Sequence, residues 1–416
     1  MSFAASKRLS NIYLHIPFCN LKCNYCDFPV HALGLQTQKD QKNTMIDTYL
    51  DYIEKEMDRT LEKIDTKRIS EQLDTVYFGG GTPSLMSTGQ LERILKKLGN
   101  ISNINQNTEV TVEMDPGTFD RVKLREYRDL GVNRVSMGVQ TFNKGEFKKL
   151  GRGHDYKQIM IALDEIVASG FDLNQVSIDL MMGIPYQTLV TYRSNLEKAL
   201  QMGFGHFSFY ILTLEKGTPF HKLYNYDFSP LPHQDLVADM YQLTHDLLTS
   251  SSFDHYEISN YGKPNSHSRH NSMYWLGDRE YLSFGCGAAN FLDGVRFARP
   301  KTLKGYYRYV DEIGLLDKVI KIEKVKETAS EVANTIVMCG MRRREGVEVK
   351  RLEGYIERSE EFIKELNAKF DNEGIREKYF SRLDNEVIAL SEREGFLVSN
   401  HLISDIMGVM SSYLLK

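Results

Sequence analysis

The chain has 416 residues, five cysteines, 41% hydrophobic residues and a formal net charge of −4. This length predicts two domains or one large barrel with an appendage, and the apolar content is sufficient for a packed core. The slightly negative charge argues against a dedicated nucleic-acid-binding protein. The sequence shows no secretory apolar core and no apolar run long enough to span a bilayer. We therefore expect a reducing, soluble compartment, the cytoplasm first and the mitochondrion as the alternative.

Strand-like runs alternate with helical patterns over the first half of the chain, which is typical of βα units and of a mainly parallel sheet. The six predicted strands are Ile12–Ile16, Thr75–Phe78, Glu109–Glu113, Arg134–Val139, Val176–Leu180 and His206–Leu212. The predicted helices between them are Met45–Thr60, Gln90–Leu98, Val122–Leu130, Ile159–Ser169 and Leu189–Met202. Ser87 with Gln90 three residues later predicts a capping box at the start of the second helix.

The character of the chain changes after about Phe297, where charged amphipathic stretches follow one another. These stretches are Val325–Met341, Arg351–Lys369 and Val387–Glu394. The pattern predicts an α/β protein in two parts. Residues 1–300 form a partial (β/α)6 TIM-like barrel plus a segment rich in aromatic residues and histidine, and residues 301–416 form a small, mainly helical domain with a winged-helix-like form as one option.

Three of the five cysteines, Cys19, Cys23 and Cys26, lie together just after the first predicted strand. Three thiolates on one loop can hold an iron–sulfur cluster. Because a four-iron cluster normally takes four cysteines, three ligands leave one iron open to an exogenous amine and carboxylate. The alternative is a zinc site in which His15 or His31 completes a tetrahedral set of ligands.

Polar and glycine residues collect at the carboxyl ends of the predicted strands, where the loops of an α/β barrel build a site. The second strand runs into Gly79–Pro83, whose three successive glycines allow close approach of a ligand. Glu113 at the end of the third strand can accept from a ribose diol. Gln140 and Arg152 follow the fourth strand. The planar, forked guanidinium of Arg152 is suited to donating hydrogen bonds to a carboxylate. Asp179 lies at the end of the fifth strand.

Five motifs in this order resemble those of radical S-adenosylmethionine (SAM) proteins, and within that superfamily the coproporphyrinogen-oxidase-like group. They are Cys-x-x-x-Cys-x-x-Cys, Gly-Gly-Gly-Thr-Pro, Glu-x-Asp-Pro, Gly-Val-Gln and Asp-Leu-x-x-Gly-Ile-Pro. The resemblance implies that Cys19, Cys23 and Cys26 ligate a [4Fe–4S] cluster and that SAM completes the fourth iron. It further implies cofactor contacts from Tyr13, Gly80, Gly81, Thr82, Glu113, Gln140, Arg152 and Asp179, with Phe28 packing beside the cluster. The chemistry it implies is electron transfer into the sulfonium, which gives a 5′-deoxyadenosyl radical.

Two departures identify the branch of the group. The oxygen-independent oxidases carry a further cysteine two residues after the third ligand, where this chain has Phe28. They also carry a long N-terminal extension, whereas about a dozen residues precede the first predicted strand here. Both departures resemble HemW, the haem-chaperone branch. The implied function is binding of haem as cargo and its delivery to haem-accepting apo-proteins, with an electron donor required if the cluster turns over. The alternative is an oxygen-independent coproporphyrinogen III oxidase, which decarboxylates two propionates, and we expect that this chain is not one; no catalytic residue is assigned.

A second signature of the same branch is Tyr256–Pro264 followed by Ser268–Trp275. His270 offers a neutral imidazole that can ligate haem iron, and the nearby aromatic rings can stack on a macrocycle. The resemblance implies that His270 is the haem ligand. The other interpretation is a hydrogen-bonded loop with packed aromatics, and His267 or Cys286 are the alternative ligands.

Overall fold

A computed structural model describes residues 8–224, 230–312, 327–371 and 374–415. Its strands are β1 Asn11–Ile16, β2 Phe18–Cys19, β3 His31–Ala32, β4 Thr75–Gly80, β5 Glu109–Met114, β6 Arg134–Gln140, β7 Val176–Met182, β8 His206–Ile211, β9 Asp254–Glu257, β10 Asn260–Gly262, β11 Leu282–Phe284, β12 Ala289–Leu292, β13 Val295–Ala298, β14 Val347–Glu348, β15 Phe380–Leu383 and β16 Val387–Leu390. Its helices are α1 Lys39–Leu61, α2 Thr88–Gly99, α3 Arg121–Asp129, α4 Lys144–Leu150, α5 Tyr156–Ser169, α6 Leu189–Gln201, α7 Pro219–Leu223, α8 Gln234–Ser250, α9 Arg269–Tyr274, α10 Leu303–Glu312, α11 Ala329–Gly340, α12 Ser359–Phe370, α13 Ile375–Tyr379 and α14 Ser399–Met410.

The chain divides into two compact units. Of the described residues, the first contains 8–205, 209–224, 230–233 and 280–312, and the second contains 206–208, 234–279, 327–371 and 374–415. The segment 234–279, which the sequence analysis grouped with the barrel, therefore belongs to the second unit, and residues 301–312 belong to the first. A single boundary between residues 300 and 301 does not describe this division.

A parallel sheet forms the centre of the first unit, in the strand order β11-β1-β4-β5-β6-β7, and β8, whose residues 209–211 belong to this unit, follows β7. The pairs from β11 to β7 are all parallel. All six predicted strands are confirmed, and β11 is an addition beside β1 that the sequence analysis did not predict. β4, β5 and β7 are buried at almost every position, as expected for strands covered on both faces. The first unit is thus a partial (β/α)6 barrel with one extra strand.

The helices α1, α2, α3, α5 and α6 connect successive barrel strands, as predicted. The capping box at Ser87 and Gln90 is present, with both reciprocal hydrogen bonds formed. α5 begins with a second capping box at Asp155 and ends at Gly170, which adopts the left-handed conformation. α1 begins at Lys39, six residues before the predicted start, because its first turn is polar and shows no apolar periodicity.

A buried ion pair explains why the segment after residue 280 belongs to the barrel unit. Glu56 on α1 accepts from Arg299 at 2.6 Å, and the two side chains are 0% and 1% exposed. The same carboxylate accepts from the Gly285 N–H at 2.9 Å and from the Tyr306 hydroxyl at 2.8 Å. Four polar groups from distant parts of the sequence thus satisfy one another in the core of the first unit.

The second unit combines helices with two small antiparallel pairings. β10 pairs with β9 and with residues 206–208, while β14, β16 and β15 form a separate three-stranded sheet. Val387–Glu394, one of the amphipathic stretches of the part that was expected to be mainly helical, contains a strand instead, Val387–Leu390, whose last three residues are buried. Two predicted helices are confirmed in part as α11 and α12; residues 325–326 at the start of the first lie outside the described residues. Over the described ranges, no helix combines the length and apolarity needed to cross a membrane.

Candidate functional site

The three cysteines lie in one loop after β1. Cys19 ends β2, and Cys23 and Cys26 follow before β3. The loop is anchored at Asn24, whose N–H donates to the Leu150 carbonyl at 3.0 Å. Burial raises the pKa of all three thiols, which are partly buried and not joined in disulfides. A bound metal would deprotonate them, as it does other coordinating thiols.

The glycine loop after β4 supports the cysteine loop. Gly80 adopts φ +111°, and a Cβ at this position would lie 2.4–2.8 Å from the His15 ring. The Thr82 N–H donates to the Phe18 carbonyl at 2.7 Å, and the Thr82 hydroxyl donates to Cys19 Sγ at 3.4 Å. Glycine is required here by both the backbone conformation and the space, so the predicted close approach has a structural cause.

Glu113 at the end of β5 joins the glycine loop to an aromatic cluster. Its carboxylate accepts from the Gly80 N–H and from the Tyr77 hydroxyl, both at 2.9 Å. Burial raises the pKa of Glu113 to about 7, against the lowering effect of these two hydrogen bonds. Tyr13 stacks on Tyr77 with centroids 6.0 Å apart, and its hydroxyl meets His15 Nδ1 at 3.0 Å.

Arg152 lies in the wall of the same site with its guanidinium fully engaged. It forms an ion pair with Asp115 and donates to the Gly138 carbonyl at 2.7 Å and to the Tyr25 hydroxyl at 3.2 Å. Burial alone would raise the pKa of Asp115, but Arg152 and the adjacent His154 together hold it below its usual range. The carboxylate that pairs with the Arg152 guanidinium in this structure therefore belongs to the protein itself, to Asp115.

Gln140 and Asp179 complete the polar wall. The β6–β7 register shifts between Gly138 and Gln140, and Gln140 takes φ +68°, a conformation that costs energy in a non-glycine residue. Its buried Oε1 finds no hydrogen-bond donor among the described residues. The Ser136 hydroxyl holds Asp179 at 3.1 and 3.2 Å. An unsatisfied buried acceptor in a strained backbone is typical of a ligand-binding position.

These side chains surround one cleft of about 620 Å³. It brings together most of the predicted residues, namely Cys19, Cys23, Cys26, Phe28, Gly80, Gly81, Thr82, Glu113, Gln140, Arg152 and Asp179. Tyr13 does not line the cleft but packs behind Tyr77. Asp115, Tyr25, Ser136 and Tyr210 line it without having been assigned a role; the position of Asp115 at the end of a strand was a usable signal, whereas nothing in the sequence marked Tyr210.

The residues of the cleft fit an iron–sulfur cluster better than a single zinc ion. Among the described residues, no set of ligand atoms that all lie within 4.8 Å of one another includes the three cysteine sulfurs. Of the two imidazoles proposed for zinc, His15 is occupied, because its Nε2 meets the Pro29 carbonyl at 2.9 Å, and His31 is exposed with its ring edge-on to Phe18. The unsatisfied Gln140 oxygen and the Glu113 carboxylate provide acceptors for an amino-acid and ribose ligand beside the thiols.

His270, the predicted haem ligand, lies on α9 in the second unit. It is 1% exposed, its Nε2 meets the Tyr274 hydroxyl at 3.0 Å, and burial lowers its pKa to about 3. The imidazole is therefore neutral, as an iron ligand must be. Of the alternatives, His267 stacks on Tyr256 with centroids 4.0 Å apart, and buried Cys286 donates from Sγ to a backbone carbonyl at 3.3 Å in the first unit.

Comparisons with known proteins agree with this geometry. The radical SAM superfamily matches residues 13–199, which implies a [4Fe–4S] cluster and SAM. Proteins named heme chaperone HemW from Synechocystis sp. and Lactococcus lactis are 33% and 35% identical; the alignments cover 96% and 83% of this chain and 96% and 84% of the relatives. The solved structure of coproporphyrinogen III oxidase (HemN) from Escherichia coli shares the fold, with a TM-score of 0.76 at 21% identity over 98% of this chain and 91% of that one. The chain therefore belongs to the HemW family of the radical SAM superfamily.

Proposed function

We propose that this protein is a haem chaperone, which binds haem and delivers it to haem-accepting apo-proteins in a soluble compartment such as the cytoplasm. The observation that carries the proposal is the near full-length similarity to proteins named heme chaperone HemW. A second observation supports it. Phe28, at the position of the oxidase cysteine, lines the cleft with 65% of its surface exposed, and it offers an apolar ring where an oxidase has a thiol.

In this proposal Cys19, Cys23 and Cys26 hold the cluster, and SAM binds beside it. When bound, the pair supplies reductive cleavage of the sulfonium, which an electron donor would have to support. Glu113 accepts from the ribose diol, and Gln140 Oε1 accepts from a donor of the same ligand. Arg152 keeps Asp115 ionised and the β5–β6 edge in place. Asp179, held by Ser136, adds a further acceptor in the same wall of the cleft.

The proposed haem ligand is His270. Its neutral imidazole and the adjacent Tyr274 and Trp275 rings supply an iron ligand and stacking surfaces. Because His270 is buried and its Nε2 meets the Tyr274 hydroxyl, ligation through Nε2 requires that this hydroxyl move away. We therefore expect haem binding to be slow compared with diffusion and coupled to a local opening of α9.

The test is a haemin titration of anaerobically reconstituted protein, followed by the Soret band, with coproporphyrinogen III turnover measured on the same samples in the presence of SAM and a reductant. We expect one haem per chain, at least roughly tenfold weaker binding by His270→Ala, unchanged binding by His401→Ala on the exposed face of α14, and no turnover. The variants His267→Ala and Cys286→Ala test the alternative ligands. Porphyrinogen turnover without specific haem binding would make this chain an oxidase instead.

A further inference from the structure

The second unit contains a cluster of metal-ligating side chains that the proposed function does not use. His245 lies on α8, His255 on β9, and Glu392 just after β16. One ligand atom from each lies within 4.8 Å of the other two, and no other such set occurs over the described ranges. Because the three residues are far apart in sequence, no local motif indicates the cluster.

The two imidazoles face each other through the same ring atom. His245 Nδ1 and His255 Nδ1 are 3.1 Å apart. A tetrahedral zinc ion with Zn–N distances of about 2.0–2.1 Å places two nitrogen ligands about 3.3–3.4 Å apart. An ion between these nitrogens therefore requires a shift of only a few tenths of an ångström, which the half-buried His245 side chain can make.

His255 is held in the orientation of a metal ligand. Its ring stacks on Tyr261 at 4.0 Å and receives Phe396 edge-on at 5.1 Å. Its Nε2 faces the Ile258 carbonyl and the Tyr241 hydroxyl, each at 3.4 Å. Metal-ligating histidines usually donate their outer N–H to such a carbonyl, which leaves the other nitrogen unprotonated for the metal. The same tautomer here directs the Nδ1 lone pair of His255 toward His245.

The third ligand is a carboxylate whose position is fixed by an ion pair. Arg344 Nε contacts Glu392 Oε1 at 2.9 Å and Arg344 also contacts Asp254 at 3.2 Å. A monodentate metal contact needs only the other Glu392 oxygen. The second nearby cation, Arg393, is paired with Asp246 at 2.8 Å, so its charge is largely compensated.

We propose that His245, His255 and Glu392 bind one divalent ion of the zinc class, with water as the fourth ligand. Two imidazoles and one carboxylate in a tetrahedral arrangement suit Zn²⁺ among the common divalent ions. The ion joins α8, β9 and the segment after β16, three parts of the second unit that are separate in sequence. The other interpretation is a hydrogen bond between two neutral imidazoles, which predicts no metal.

The test measures zinc binding by anaerobically reconstituted protein, in which the cluster occupies the three cysteines, with a competing zinc indicator and ZnCl2. We expect wild type and the matched control His401→Ala to bind one equivalent. His245→Ala and Glu392→Gln each remove a direct ligand. Their zinc affinity should therefore fall by at least the roughly 10–100-fold that removal of an outer-shell partner causes. Equal binding by all four proteins, or no bound equivalent in wild type, would overturn the proposal.

A second measurement does not depend on how well the variants fold. Trp275 is the only tryptophan of the chain and lies in the second unit, so its fluorescence reports unfolding of that unit. Zinc at saturating concentration should raise the denaturant midpoint of this signal in wild type and in His401→Ala. A midpoint in wild type that zinc leaves unchanged counts against the site, because an ion that binds the folded unit more tightly than the unfolded chain stabilises the folded unit.

Discussion

Arg152 and Asp115 form an ion pair in the wall of the cysteine cleft, with 8% of the arginine side chain and 31% of the aspartate side chain exposed. The guanidinium also donates to the Gly138 carbonyl at 2.7 Å, at the residue where the β6–β7 register shifts. One side chain thus connects the end of β5 to the irregular end of β6. The shape of the cleft depends on this pair before any cofactor binds.

The substitution Asp115→Asn should destabilise the barrel unit because it leaves a buried guanidinium without its counter-charge. We expect a loss of about 1–3 kcal/mol, below the cost for a fully buried pair because part of Asp115 faces solvent. Since the pKa of Asp115 is lowered, the stabilisation is complete above about pH 4 and is lost as the pH falls through the lowered value. Urea unfolding followed by cluster absorbance measures it. The control Asp129→Asn, in an exposed pair, should change stability by less than about 0.5 kcal/mol, and equal midpoints for both variants would contradict the prediction.

Replacing any one of Cys19, Cys23 and Cys26 by alanine should abolish the cluster. Two thiolates are too few to retain a four-iron cluster. The iron content should therefore fall from about four atoms per chain to less than one, and the visible absorbance of the cluster should disappear. Cys339→Ala on α11 is the matched control and should keep the full iron content. Iron analysis after anaerobic reconstitution checks this, and a variant of the three that retained its iron would remove that cysteine from the ligand set.

Gly80→Ala should disrupt the glycine loop. The new Cβ would meet the His15 ring at 2.4–2.8 Å in a backbone with φ +111°, and the ring is fixed by the Tyr13 hydroxyl and the Pro29 carbonyl. Backbone strain of this kind costs about 1–3 kcal/mol before the clash is added. Gly89→Ala, in the exposed first turn of α2 with open space around it, should be neutral or stabilising by up to about 1 kcal/mol. A higher urea midpoint for Gly80→Ala than for Gly89→Ala would refute this explanation of why residue 80 is glycine.

The barrel strands and the gathering of the site were predictable because both follow from local patterns. Alternating strand and helix periods locate the strands, and parallel strands bring their carboxyl ends to one edge, so Glu113 and Gln140 had to meet. Asp179 lies in the middle of β7, which continues to Met182, and it joins them because it pairs with Gly138. The partner of Arg152 was not predictable in the same way. A fork that suits a carboxylate does not reveal whether the carboxylate comes from a ligand or from Asp115, since that depends on side-chain directions in three dimensions.

Long-range pairing explains the other differences between sequence and structure. β11 has only three residues. It forms a strand because it pairs with β1, from which most of the barrel unit's sequence separates it. Val387–Leu390 has an apolar pattern too short to distinguish a strand from a helix, and its pairing with β14 and β15 decides the outcome. The His245, His255 and Glu392 cluster likewise exists only after α8, β9 and the C-terminal segment have packed together.

The protonation state of Glu113 should control SAM affinity. A ribose diol donates hydrogen bonds, so it prefers the ionised carboxylate, and binding must displace the proton that burial retains up to about pH 7. Affinity should therefore rise with pH through about 7 and level off above it. Below that value it should fall by about tenfold per pH unit, the limit for release of one proton.

Equilibrium dialysis of labelled SAM against reconstituted protein from about pH 6 to about pH 8.5 measures this profile. Glu113→Gln should bind weakly at every pH and show no slope, because the amide cannot ionise and has one acceptor oxygen where the carboxylate offers two to the Gly80 N–H, the Tyr77 hydroxyl and the ribose diol. Glu197→Gln, an exposed residue on α6, should keep the wild-type profile. A flat wild-type profile would mean that the ligand does not contact Glu113. An equal slope in Glu113→Gln would instead assign the titration to another group, of which Asp115 is a poor candidate because Arg152 keeps it ionised over this whole range.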